Sequence, residues 1–276
     1  MRKTSTKLWI NGFDGRMGQS IRKLLLDDPH FELLGGSSHE RIFFSEAGSK
    51  QDQFLIEPYS DDQLIQGLKK AELLIDFSSV EGNEKLCKVL TKHKLTGLAV
   101  LVGSTGLKEK SLHAWQHYCA ELNGKVLIAP NTSLGVYLSV KLAQQAASLL
   151  RPMDFDIEIL EAHHRHKKDA PSGTALFIAE MLAEQENLQP IWKRDGLREE
   201  DEIGIAVLRG GSVFGEHEIR FMGELEELSI AHRALSRQLF AEGALKLGRW
   251  IDQAAVGRLY RLVDIPIEEM AGLGKR

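Results

Sequence analysis

The sequence predicts an α/β protein with a doubly wound parallel sheet, followed by a second, smaller α+β domain on a largely antiparallel or mixed sheet. In the first half, short apolar segments alternate with amphipathic helical ones, which is typical of a parallel sheet covered on both faces. In the second half, polar and apolar residues alternate with little helix between the segments. An amphipathic segment at 240–254 predicts a helix that returns to the first domain. The expected domains are 1–132 plus 241–276, and 133–240.

The elements of the first half follow in order. The apolar segment 7–11 predicts a buried strand, and 16–28 has apolar residues at helical spacing until Pro29 ends it. A second strand is expected at 31–38. Further strands are expected at 71–79, 95–106 and 125–133, with helices at 85–92 and 112–122 between them.

The second half is predicted from its alternating pattern. In the segment 155–164 every second residue falls on one side of a strand, and Gly223-Glu224 later in the chain is typical of a hairpin turn. We expect one face of this sheet to be free to meet a partner. The side of the strand that the alternation defines carries Ile157, Ile159, Glu161 and His163.

Composition excludes several classes of protein. The 276 residues carry a net charge of -4 and are 43% hydrophobic, as in ordinary globular proteins, so no global basic field favours nucleic acid. No run of 18 apolar residues and no secretory h-region is present, so we expect no membrane partner and a cytoplasmic location. The two cysteines, Cys87 and Cys119, cannot form a disulfide framework.

A glycine-rich turn follows the first strand. Gly12, Gly15 and Gly18 stand where that strand meets the first helix. Glycine allows a tight turn and a close approach of a pyrophosphate to the helix N-terminus. The spacing is one residue away from GxGxxG, so a plain strand–turn–helix corner is the alternative. The position on the first strand of a doubly wound half favours a Rossmann-like dinucleotide site.

The end of the second strand bears on the choice of dinucleotide. An acidic residue there would bind the ribose diol of NAD. The chain instead has Ser37, Ser38 and His39, with Arg41 close by, which favours a 2′-phosphate and NADPH. Glu40 keeps NADH open, and ordinary loop residues are the remaining alternative.

Two later strand ends face the same edge of the predicted sheet. Ligands in open α/β sheets gather at the carboxyl ends of the strands. The segment 102–106 offers Gly103, Ser104 and Thr105, and 129–133 offers Asn131. Each segment alone is also compatible with a simple turn.

The segment 161–175, EAHHRHKKDAPSGTA, concentrates basic residues before a predicted helix start at Pro171 and Ser172. His163 and Lys167 are both able to donate protons. The helix-start amides favour an anion, so the segment predicts a site for a carboxylate-bearing substrate beside a proton donor. The alternatives are a metal cluster, for which no ligand set is complete, a nucleic-acid patch, and a solvated basic loop.

This segment resembles the signature of the bacterial 4-hydroxy-tetrahydrodipicolinate reductase family, formerly dihydrodipicolinate reductase. Nearly the whole chain is similar to the family, with "GFDGRMG", "IDFSSVEGN", "VGSTG", "APNTSLGV", "GEHE" and "SRQLFAEGAL" in the family's order. The resemblance implies hydride transfer from NADPH or NADH to a cyclic dicarboxylate on the lysine route. It also implies a C-terminal helix that rejoins the nucleotide-binding domain and a sheet domain that forms a homotetramer. No metal is expected, because the sequence completes no ligand set.

The resemblance assigns roles by position. His163 matches a proton donor or acceptor, and Lys167 matches a proton donor. The positions that match substrate contacts are His164, Gly173 and Thr174. Those that match cofactor contacts are Gly12, Phe13, Asp14, Gly15, Arg16, Met17, Ser38, His39, Gly103, Ser104, Thr105, Ala129, Pro130, Asn131 and Thr132.

Several positions depart from the family's pattern. Ser38 and His39 stand where an acidic–basic pair is common, which affects the preference between NADH and NADPH. Ser79 stands where arginine is common, which weakens the binding of a 2′-phosphate. The remaining functional alternatives are another dehydrogenase on the same plan and a dinucleotide-binding redox sensor. Milder departures are Ser104 for threonine, Thr132 for phenylalanine and the polar Lys168.

Overall fold

The computed structural model describes residues 5–46 and 53–272 of the chain. It divides the chain into two compact units, Met1–Thr132 with Gln238–Arg276, and Ser133–Arg237. In the part of the chain that the model describes, no helix is long and apolar enough to cross a bilayer.

The strands and helices follow one another along the chain. The strands are β1 (Thr6–Asn11), β2 (Phe31–Ser38), β3 (Arg41–Ser45), β4 (Phe54–Pro58), β5 (Leu73–Asp76), β6 (Ala99–Val102), β7 (Lys125–Ile128), β8 (Asp156–His163), β9 (Gln189–Ile191), β10 (Glu202–Arg209), β11 (Glu216–Met222), β12 (Glu227–Arg233) and β13 (Arg258–Arg261). The α-helices are α1 (Arg16–Leu25), α2 (Asp61–Leu68), α3 (Val80–Lys92), α4 (Glu109–Leu122), α5 (Leu134–Leu150), α6 (Gly173–Glu186), α7 (Gln238–Gln253) and α8 (Ile267–Gly272).

The first unit is built on one sheet with the strand order β13-β7-β6-β5-β1-β2-β3-β4. All neighbouring strands from β13 to β2 are parallel, and β3 and β4 add an antiparallel edge. This confirms the predicted doubly wound sheet. The edge strands β3, β4 and β13 and the helix α2 were not predicted. Helix α7 packs on α1 and on the central strands of this sheet.

The core of the first unit is apolar and aromatic. Trp9, Trp115 and Tyr118 are fully buried, together with the apolar residues of β5 and β6. Cys87 and Cys119 are buried free thiols in this core. Burial raises the pKa of Cys87 to about 12 and that of Cys119 to about 11, so both behave as small apolar residues.

The second unit is a five-stranded mixed sheet with the order β12-β11-β8-β10-β9. Strand β11 is antiparallel to β12 and β8, whereas β10 is parallel to β8 and β9. Helices α5 and α6 pack on the face that carries Ile157 and Ile159. The alternating burial predicted for β8 is confirmed, while the long helix α5 was not predicted.

Candidate active site

The glycine turn after β1 requires glycine at two positions. Gly12 has a φ of +83°, and a Cβ there would lie 2.6 Å from the carbonyl oxygen of Phe77. A Cβ at Gly18 would lie 2.4 Å from the carbonyl oxygen of Gly12. Helix α1 therefore starts against the turn, with Gly15 as its N-cap and neither a side-chain cap nor an acidic residue in its first turn. These features fit the pyrophosphate of a dinucleotide.

A buried carboxylate lies beside this turn. Asn11 pairs with Ser37 of β2 and with Asp76 of β5, because the three residues align across the carboxyl ends of parallel strands. Asp76 is fully buried, and its carboxylate links the glycine turn to the loops after β5 and β6. It accepts side-chain hydrogen bonds from Asn11 (2.7 Å), Ser78 (2.6 Å), Asn83 (2.7 Å) and Ser104 (2.8 Å).

The residues predicted near the cofactor's 2′ position come together at the end of β2. The Ser38 hydroxyl donates a hydrogen bond to Asp14, and Nη2 of Arg41 lies 3.2 Å from the other carboxylate oxygen of Asp14. His39 is exposed and adopts a left-handed φ of 33°. Ser79 caps helix α3 by accepting a hydrogen bond from the Gly82 amide, so its hydroxyl already has a partner.

The other positions predicted for the cofactor differ in exposure. The Phe13 side chain is fully buried and stacks on Phe43 at 4.6 Å between ring centroids, which leaves only its backbone for a ligand. Thr132 is buried, and its hydroxyl donates to the carbonyl of Phe240. Arg16, Thr105 and Pro130 are exposed, Met17 and Asn131 are half-buried, and Gly103 and Ala129 are buried.

The basic segment of the second unit begins on a buried acid. Glu161 has no exposed surface, and its Oε2 lies 2.5 Å from Nδ1 of His163. Arg209 donates to both carboxylate oxygens, at 2.9 and 2.8 Å. The Ser172 amide donates to Oε1 at 3.0 Å. The carboxylate of Glu161 is thus surrounded by donors.

These donors keep Glu161 ionised despite its burial. Burial alone raises the pKa of a carboxyl group. The hydrogen bonds from His163, Arg209 and the Ser172 amide outweigh that effect and lower the pKa of Glu161 to about 2. At neutral pH the group is therefore a carboxylate that only accepts hydrogen bonds.

Strand register brings together residues that are far apart in sequence. Arg209 on β10 is aligned with His163, and His217 on β11 is directly opposite Glu161. The rings of His163 and His217 are 5.2 Å apart, and Nε2 of His217 lies 3.2 Å from the Ser172 hydroxyl. Burial first, and then the charge of His163, lower the pKa of His217 to about 3, so His217 is neutral. The sequence did not identify Arg209 or His217 as functional residues.

The loop after β8 carries the other predicted proton donor. Lys167 forms an ion pair with Asp169, at 2.9 Å between Nζ and Oδ2. Partial burial acts to raise the pKa of Asp169, but Lys167 and the backbone amides of Asp169 and Gly173 lower it. His164 lies 3.4 Å from Arg237, and its pKa is lowered by burial and by neighbouring positive charges.

Helix α6 begins as the sequence predicts. Ser172 is its N-cap and accepts a hydrogen bond from the Ala175 amide at 3.2 Å. Gly173 is exposed, and a Cβ there would meet nothing within 4 Å. Thr174 is half-buried. The start of the helix is therefore exposed beside the basic loop, and its Gly173 amide faces the Asp169 carboxylate, with which a ligand anion would compete.

Glu161, His163 and His217 also form a cluster with metal-ligating side chains. One potential ligand atom from each lies within 4.8 Å of the others. The guanidinium of Arg209 occupies the cation position on both oxygens of Glu161, and a second cation would be repelled there. The chemistry of this cluster fits proton transfer better than metal binding.

A doubly wound sheet with this glycine turn, together with a histidine–carboxylate site in a second unit, defines a class: the pyridine-nucleotide-dependent oxidoreductases. Models of the dihydrodipicolinate reductase N-terminus and C-terminus match residues 6–132 and 135–265. The chain belongs to the dihydrodipicolinate reductase family.

Individual relatives agree with this assignment and confirm the resemblance seen in the sequence. The chain is 37% identical over 272 residues to 4-hydroxy-tetrahydrodipicolinate reductase of Aquifex aeolicus (strain VF5), covering 95% of this chain and 98% of the relative. It is 38% identical over 266 residues to the Myxococcus xanthus (strain DK1622) enzyme, covering 93% and 96%. The dipicolinate-bound dihydrodipicolinate reductase from Paenisporosarcina sp. TG-14 shares the fold, with a TM-score of 0.74 at 23% identity and coverage of 95% and 100%.

Proposed function

We propose that this chain reduces 4-hydroxy-tetrahydrodipicolinate to tetrahydrodipicolinate, with loss of water, in the diaminopimelate route to lysine. One observation carries the proposal: His163, held by a buried carboxylate, lies beside an open helix start and a lysine-bearing loop. This arrangement suits a dicarboxylate that must be held by positive groups while it receives a proton. The Paenisporosarcina relative, which binds dipicolinate, supports a ligand of the same chemistry here.

In this proposal the second unit binds the substrate and supplies protons. His164 and the backbone of Gly173 and Thr174 hold the substrate carboxylates, assisted by the dipole of α6. His163 or Lys167 delivers the proton that the reduction needs. The ion pair of Lys167 with Asp169 holds the lysine near the helix start until substrate enters.

The first unit binds the dinucleotide. The turn from Gly12 to Met17 and the start of α1 hold the pyrophosphate, and the loops 103–105 and 129–132 contact the nicotinamide half. The bound nicotinamide supplies the hydride. Asp76 ties the glycine turn to the loop 103–105, because its carboxylate accepts hydrogen bonds from Asn11 and Ser104.

We propose that both cofactors are used, with NADPH preferred. The Arg41 side chain is 59% exposed, and Arg41 pairs from the start of β3 with Ser38 at the end of β2, where a 2′-phosphate would need a cation. Asp14 partly neutralises the charge of Arg41, and the Ser79 hydroxyl already accepts a hydrogen bond as the N-cap of α3. Both features weaken the preference for a 2′-phosphate, so NADH is expected to be used as well.

The first test is oxidation of NADPH and NADH at 340 nm, in separate reactions. Substrate is made in the cuvette by a synthase from pyruvate and aspartate semialdehyde. Rapid oxidation that depends on the synthase supports the reductase, and the ratio of the two rates gives the preference. Tight binding of both cofactors without any oxidation would favour a redox sensor. Oxidation with an unrelated amino acid or semialdehyde instead would favour another dehydrogenase.

Lys167→Ala tests the proton donor. We expect kcat to fall by about 10²-fold or more, with the KM for the cofactor unchanged, because general acid catalysis contributes about 10²–10⁴-fold. Lys168→Ala is the matched control, since it removes the same charge one residue further along. Equal activities of the two variants would exclude Lys167 as the proton donor.

We further propose that the chain forms a homotetramer through the outer face of the second sheet. This face carries Leu208, which is 54% exposed, beside a charged ladder that includes Glu218 and Arg220. Light scattering after size exclusion measures the mass directly, and a monomer at micromolar concentration would contradict the proposal.

A further inference from the structure

We propose that Glu161 is a positioning residue that fixes His163 in the tautomer with its proton on Nδ1, so that Nε2 exchanges protons with the substrate, and that Arg209 holds Glu161 in place. The catalytic half of this inference rests on the proposed function. The tautomer itself does not, and it is tested separately.

The hydrogen bonds around Glu161 assign the tautomer. Its Oε1 accepts from the Ser172 amide and from Arg209, and its Oε2 accepts from Arg209. The remaining contact of Oε2 is Nδ1 of His163 at 2.5 Å. An ionised carboxylate has no proton to give, so Nδ1 must be the donor. Neutral His163 then has its lone pair on Nε2, and protonated His163 carries its exchangeable proton there.

The space beside Nε2 is kept open by a glycine. A Cβ at Gly215 would lie 3.1 Å from Nε2 of His163 and 3.5 Å from its Cδ2. Any other residue at this position would crowd the nitrogen that the tautomer leaves free. The sequence block that carries this glycine, GEHE, also supplies His217.

Charged and titratable groups face His163 from each strand next to it and from the loop. Glu161 is on the same strand, Arg209 comes from β10, His217 from β11, and Lys167 from the loop. His217 is neutral and adds no charge beside His163. The charged group in direct contact with the imidazole is the ionised carboxylate of Glu161. Arg209, itself partly exposed, forms a bidentate pair with that buried carboxylate and prevents it from turning away.

Stability alone is a weak reason for this buried ion pair. The desolvation of two charges largely offsets their attraction, and apolar replacements are often equally stable. A carboxylate that orients a histidine, in contrast, has a direct effect on proton transfer. The position of the pair, in contact with His163 and with the start of α6, therefore points to orientation of the imidazole.

The test compares Glu161→Gln with wild-type protein. We expect kcat to fall on the order of 10²-fold, with less than about a threefold change in the KM of either substrate, because the acid–base step alone is impaired. Glu161→Asp, which retains the carboxylate, should recover part of kcat. The matched control is Glu184→Gln, the same substitution at an exposed position of α6, and it should retain wild-type kcat.

The tautomer is measured directly by two-bond ¹H–¹⁵N correlation spectra of the wild-type imidazoles at pH 8, with His163→Gln for assignment. A proton on Nδ1 of His163 is expected, and a proton on Nε2 would overturn the inference. Dipicolinate binding by Glu161→Gln should match wild type within about threefold. If wild type shows no reductase activity, the proposed function fails and the spectrum still decides the tautomer. If Glu161→Gln does not fold, Arg209→Lys replaces it, and unchanged kcat in either folded variant would reject the positioning role.

Discussion

His217 should make the folded state sensitive to mild acid. Its side chain is 6% exposed, and its ring lies between the ring of His163 and the hydroxyl of Ser172. Burial and the neighbouring charge of His163 lower its pKa from 6.5 to about 3. Replacement with glutamine, which keeps a polar group near Ser172 but does not titrate, removes this sensitivity.

The magnitude follows from linkage between protonation and folding. Between pH 6.5 and 3 the unfolded chain binds a proton at His217 that the folded chain does not bind. The free energy of unfolding therefore falls as the pH drops through this window, by about 1.4 kcal/mol per pH unit for one group. From pH 8 to pH 5 the loss from His217 alone is about 2 kcal/mol.

Urea unfolding at pH 8 and pH 5, at one protein concentration, measures this loss. Wild type should lose about 2 kcal/mol more than His217→Gln over the interval. His113→Gln, which removes an exposed histidine with a 65% accessible side chain, should behave as wild type. If wild type and His217→Gln lose the same free energy, His217 is not held neutral in the folded state and the reasoning is wrong.

Three further predictions concern carboxylates and the cofactor. Arg41→Ala should lower kcat/KM for NADPH by about tenfold, the size expected for a lost charge-assisted hydrogen bond. The kcat/KM for NADH should be nearly unchanged. Equal losses with both cofactors would exclude a 2′-phosphate contact. Asp169→Asn removes the carboxylate that pairs with Lys167. Dipicolinate binding measured by calorimetry should tighten by up to about fivefold, the free-energy value of an exposed ion pair. Weaker binding would show that Asp169 helps to hold the ligand. Asp76→Asn should destabilise the protein by about 2–4 kcal/mol in urea and raise the cofactor Kd, because the new amide protons face donors; unchanged values of both would refute its linking role.

Much of the fold was predictable because local pattern and global structure agree. The predicted elements of the first unit each carry the local pattern of their final state, namely β1, α1, β2, β5, α3, β6, α4 and β7. The antiparallel edge strands β3 and β4 were missed because each is only five residues long and their pairing is a tertiary property. Helix α5 was missed for a different reason. Its sequence is apolar along most of its length, so it lacks the one-sided stripe from which an amphipathic helix is recognised.

Residues of the candidate site were likewise predictable where they are close in sequence and not where only the tertiary structure brings them together. His163, Lys167 and the Ser172 cap lie in one continuous segment, so spacing alone indicates that they act together. Arg209 joins them only through the register of parallel strands, and a one-residue shift would turn it to the other face.

Glu161 did leave a signal in the sequence, because it stands between Ile159 and His163 on the buried side of an alternating strand. A carboxylate at such a position needs several donors, since burying it alone would cost several kcal/mol. The sequence therefore predicts that partners for Glu161 exist. Strand register supplies Arg209, and the start of α6 supplies the Ser172 amide. Once these two donors occupy the carboxylate, its remaining contact is with Nδ1 of His163, and Nε2 is left as the nitrogen that exchanges protons. In this unit, then, one set of hydrogen bonds around Glu161 both compensates its buried charge and orients the proposed catalytic histidine.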